Sequence, residues 1–136
     1  MSNYNIEPFP IELYKQAINL DIEAIALKFE GGNDEGLLDV DYLVKDNKKL
    51  PREIIVPLLR QIEYWAHNAY PFSGAGDGDR YGFDVYYNLQ AKIAHLTEWY
   101  DVVERHEKEA PTKRLPIRLP DNKVTELIDP KVTIDD

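Results

Sequence analysis

Two acidic glycine turns hold the residues best suited to chemistry: Gly31-Gly32-Asn33-Asp34-Glu35-Gly36 and Gly74-Ala75-Gly76-Asp77-Gly78-Asp79. Clustered carboxylates repel one another unless a cation or a basic partner offsets them, and glycine allows the backbone shapes that bring them close. No cofactor is expected, but if the turns form a site, Asp77, Asp79, Asp34 and Glu35 are the candidate ligands for a divalent cation, calcium or magnesium. Counted from Asp77, the second turn begins like an EF-hand loop, with D-x-D and Gly82 in sixth place. It then departs: Tyr81 stands fifth, where a carboxylate or amide is needed, Asn88 stands twelfth, where the loop needs a bidentate glutamate, and the residues that follow alternate like a strand. Solvated hairpin ends, with Asp77 and Asp79 capping a turn, are the favoured account. Magnesium-dependent phosphoryl chemistry would need the two turns to converge, which their spacing permits without indicating.

Other catalytic groups are scarce. The chain has no cysteine, which removes thiol nucleophiles, disulfides and cysteine-type zinc sites. Ser73 lacks a nucleophile-elbow context, and His67, His95 and His106 have no nucleophile beside them, so each histidine is expected to be structural or superficial.

The elements that position these residues follow from periodicity. Pro8 and Pro10 precede Ile11, Leu13, Tyr14, Ala17 and Ile18, which predicts an amphipathic helix. Ile25, Leu27 and Phe29 then alternate with Ala26, Lys28 and Glu30, and Leu38, Val40 and Tyr42 with Asp39 and Asp41, which predicts a hairpin across the first glycine turn. Ile54, Ile55, Leu58, Leu59, Ile62, Trp65, Ala66 and Ala69 mark a second helix, with Pro57 as its irregularity. Tyr81, Phe83, Val85 and Tyr87 share one face of a third strand, a turn follows at Asn88-Leu89-Gln90-Ala91, and residues 92–100 form a fourth. The expected fold is α+β: a two-layer sandwich in α-β-β-α-β-β order, with a four-stranded, mainly antiparallel sheet and both helices on one face. Residues 1–106 would form this single domain. Residues 107–136, interrupted by Pro111, Pro116, Pro120 and Pro130, read as an extended or disordered C-terminal arm that wraps its own domain, serves a homodimer, or meets a partner.

Composition narrows the function classes. The 136 residues are 43% hydrophobic and 30% charged, as in an ordinary globular domain, with no apolar run long enough to span a membrane and no secretory pattern at the N-terminus. A cytoplasmic protein is expected. With 25 acidic against 16 basic residues the net charge is −9, which repels phosphate backbones and anionic lipid, so neither direct nucleic-acid nor membrane binding is expected. A basic protein surface would be attracted. Tyr86 cannot share a face with Phe83 and Val85, so it belongs on the sheet face opposite the helices, as Asp39, Asp41 and Asp84 would. Tyrosine amid carboxylates resembles a protein-binding surface, and these four are the candidate partner-binding residues.

The run 27–36, LKFEGGNDEG, and the run 77–89, DGDRYGFDVYYNL, resemble a domain-of-unknown-function family of small acidic bacterial and phage proteins with acidic glycine turns. The resemblance covers residues 22 to 100 and implies a mobile-element setting; it carries no catalytic residues. The leading expectation is a non-enzymatic acidic domain that binds, as an inhibitor or immunity or anti-defence protein, a basic nucleic-acid-handling protein. The alternatives are a metal-dependent hydrolase or phosphotransferase, and a calcium-stabilised structural module.

Overall fold

The computed structural model describes residues 5–32, 35–72, 80–101, 105–110 and 112–127. Among them the chain forms β1 (Phe9–Pro10), α1 (Ile11–Asn19), β2 (Ile22–Gly32), β3 (Glu35–Val44), a 3₁₀ turn (Lys45–Asn47), α2 (Arg52–Ala69), β4 (Tyr81–Asn88), β5 (Ile93–Asp101), β6 (Arg105–Glu109), β7 (Lys113–Arg118) and β8 (Val124–Leu127). The strands run β1-β7-β5-β4-β2-β3 across the sheet, with β6 also on β5 and β8 on β7.

The four-stranded sandwich with a C-terminal arm is therefore corrected. Two helices accompany a mixed sheet that curls into a half-barrel, with seven strands beyond the two-residue β1. The difference begins at β5, whose free edge is divided between two later strands. β6 pairs along residues 97–101, whereas β7 pairs only at Ile93 and Ala94 and carries β1, in parallel, and β8 onward around the curve. His95 helps fix this crossover, with Nδ1 3.2 Å from the Thr112 hydroxyl and Nε2 3.1 Å from that of Thr97. Much of the expected arm is thus sheet, and its Leu115 and Ile117 are fully buried.

Alternation decides which face is buried. The register sets Phe29 opposite Phe83, Leu27 opposite Val85, and Ile25 opposite Tyr87, with Leu96 and Ala94 continuing the rows on β5. These side chains meet Ile11, Leu13, Tyr14 and Ala17 of α1 and Ile55, Leu58, Ile62 and Ala66 of α2 in one core. α2 runs through Pro57 without a break; the ring is exposed, so the proline removes a helix donor on the solvent side and leaves the buried stripe intact. Phe29 and Phe83 stack across β2 and β4 at 4.5 Å, and Tyr70 and Phe72 close over them from the end of α2. Tyr81 packs on Phe72, and Tyr87 joins through Trp65 and Phe9, so much of the aromatic content of the second half of the sequence lies in one largely buried network.

Candidate functional site

The other sheet face carries the polar set. Because side chains alternate along a strand, the register that buries Phe29 and Phe83 turns Lys28 and Asp84 the opposite way. One cross-strand row then reads Asp39, Lys28, Asp84, Thr97, and the next reads Asp41, Ala26, Tyr86, His95. Asp39, Asp41, Asp84 and Tyr86 thus lie in two adjacent rows of one face, away from the helices. A third row sets Leu37, Glu30, Gly82 and Trp99 beside them, with Glu107 and Glu109 of β6 extending the face.

Two cations stand among these carboxylates. Lys28 Nζ is 2.8 Å from Asp41 Oδ2, and its ammonium is held above the ordinary lysine range by that hydrogen bond and charge, helped by Asp84 and Asp39. Arg80 pairs with Glu30 and lies 5.9 Å over the Trp99 ring. Both lysine and Asp41 are about half exposed, so the pair sits in water-like surroundings.

Shape accompanies charge. The small side chains of Ala24 and Ala26 leave a groove of about 360 Å³ between Tyr86 on one side and Asp41 and Leu43 on the other. A second hollow, of about 220 Å³, lies between Asp39, Asp84, Arg80 and Trp99. Apolar groups stand exposed at the same places, Leu37 at 62%, Leu43 at 46% and Tyr86 at 40%. At the third row, a Cβ added to Gly82 would meet the Phe29 carbonyl oxygen at 2.0 Å and Trp99 Cζ2 at 2.9 Å, so only glycine admits the tryptophan at this depth.

Of the candidate cation ligands, Asp34, Asp77 and Asp79 lie outside the described residues, and Glu35 opens β3 opposite Gly32. Among the described residues no group of three or more His, Asp and Glu converges as a metal would require, and no helix is long and apolar enough to cross a membrane. Lys28, Glu30, Arg80 and Trp99 were not singled out from sequence. The alternation that marked Ala26, Lys28 and Glu30 as the polar side of their strand placed two of them; their neighbours depended on β2 lying between β3 and β4, which periodicity does not encode.

No protein-family model, curated protein or solved structure matches this chain. The reading of the site rests on its own geometry.

Proposed function

We propose that the chain is a non-enzymatic binding domain whose open sheet face recognises a basic protein surface, in the manner of an inhibitor or immunity protein directed at a nucleic-acid-handling protein. The observation that carries this reading is the placement of Asp39, Asp41, Asp84 and Tyr86 in adjacent rows of one face. A protein that handles nucleic acid presents Lys and Arg spaced for phosphates, and an array of carboxylates on a rigid sheet is complementary to such a patch. The field steers encounter, while Tyr86, Leu37 and Leu43 supply area that loses water on contact. Lys28 keeps Asp41 occupied until a partner cation displaces it.

The test is capture from a lysate of the native host at low salt, on immobilised wild type and on an Asp39→Asn, Asp41→Asn, Asp84→Asn variant. Basic proteins identified by mass spectrometry on the wild type and missing from the variant would support the reading. Identical recoveries on the two would refute it.

A further inference from the structure

The sheet ends on β3, a ten-residue strand that pairs, among the described residues, with β2 alone. Which of its backbone groups are free follows from the ladder. The Glu23 carbonyl accepts from the N–H groups of Leu89 and Gln90, so Glu23 and every second residue after it turn their backbone toward β4. Ala24, Ala26, Lys28 and Glu30 therefore bond toward β3, opposite Leu43, Asp41, Asp39 and Leu37. The Lys45 N–H reaching the Asp21 carbonyl gives the same alternation from the β3 side. Leu38, Val40 and Tyr42 accordingly point their N–H and C=O groups away from the sheet, as a ready template for another strand.

The edge is also selective. Its open-face side chains read Leu37, Asp39, Asp41, Leu43, whereas Leu38, Val40 and Tyr42 continue the apolar face. Pairing with β3 of a second copy would set carboxylate against carboxylate or against leucine in each symmetric register that preserves the faces, an arrangement that like charges oppose. A strand with basic side chains at two successive same-face positions, and apolar ones between, meets every group on the edge.

We infer that β3 captures an extended basic segment of the partner by strand addition, its amides bonding to Leu38, Val40 and Tyr42 and its Lys or Arg side chains pairing with Asp39 and Asp41. This rests on the acidic-face reading above and specifies how that face holds its partner.

The probe is a short fluorescein-labelled peptide alternating lysine and valine, titrated by anisotropy against the full chain. Val40→Pro keeps both aspartates and removes one outward N–H at an edge position where proline is tolerated. The same peptide N-methylated at alternate residues removes the complementary groups without touching the protein, and decides the matter if Val40→Pro does not fold. Strand addition predicts salt-sensitive binding by the wild type, weakened at least about tenfold by either change. Equal binding in both arms would overturn the edge while leaving the acidic face standing. Absence of binding by the wild type at low salt would overturn both. A dimer in sedimentation equilibrium that Val40→Pro dissociates would give the edge to a second copy and overturn the inference.

Discussion

The hydroxyls of Tyr70 and Tyr87 lie 2.5 Å apart inside the core, and together with the backbone of Glu7 they close a ring of hydrogen bonds. Tyr87 donates to the Glu7 carbonyl at 2.7 Å, the Glu7 N–H donates to Tyr70 Oη at 2.7 Å, and Tyr70 therefore donates to Tyr87. Three distant parts of the chain, the N-terminal segment, the end of α2 and the C-terminal end of β4, are thereby joined. Removing either hydroxyl leaves a buried group without its partner, which costs about 1–3 kcal/mol. Tyr87→Phe should lower urea stability by that amount, and Tyr70→Phe added to it should cost less than the sum of the singles, as a double-mutant cycle would record.

The same burial sets an alkaline limit. Desolvation pushes both phenols well above the ordinary tyrosine range. The folded state thus keeps protons that the unfolded state releases near pH 10, so stability is whole below that pH and falls as pH rises through it. The slope is about 1.4 kcal/mol per pH unit for each of the two tyrosines. Phenolate absorbance followed with circular dichroism should show these tyrosines ionising together with unfolding; their ionisation before loss of structure would contradict the buried ring.

Gly82→Ala tests the close approach of β4 to its neighbours. The new methyl would fall 2.0 Å from the Phe29 carbonyl oxygen, a backbone atom, and against Trp99. A loss of about 1–3 kcal/mol is expected, with a changed tryptophan emission; unaltered stability and emission would mean that the strands give way freely.

Lys28→Gln separates folding from recognition. The Lys28–Asp41 pair is exposed, so its loss should cost less than about 1 kcal/mol. With Asp41 released from its ion pair and one positive charge removed beside Asp39 and Asp84, the face should bind a lysine-rich peptide up to about fivefold more tightly. Weaker binding would assign Lys28 to the contact itself.

The strand alternations at residues 25–29, 38–42 and 81–87 were legible because each strand buries one face and wets the other. Those alternations also set Asp39, Asp41, Asp84 and Tyr86 on the polar sides of their strands. The late strands were not legible, for a physical reason. Pro116 lies buried in the middle of β7, flanked by the inward-facing Leu115 and Ile117, and a proline within a run argues against a central strand. The two-residue pairing of β7 with β5 turns the sheet into a half-barrel, and a contact so short leaves no pattern in the sequence. The groove beside Tyr86 was equally hidden, since its floor is two alanines whose importance is their smallness.

The central claim, that this one face and not bulk acidity selects a basic partner, is tested most directly with two variants of equal net charge. Asp39→Asn, Asp41→Asn, Asp84→Asn neutralises the open face, and Asp46→Asn, Glu63→Gln, Glu126→Gln neutralises exposed carboxylates elsewhere. Affinity for a labelled lysine-rich peptide across a salt series should fall at least about tenfold in the first and by less than about twofold in the second. Equal losses in the two variants would reduce the interaction to net charge and contradict the account.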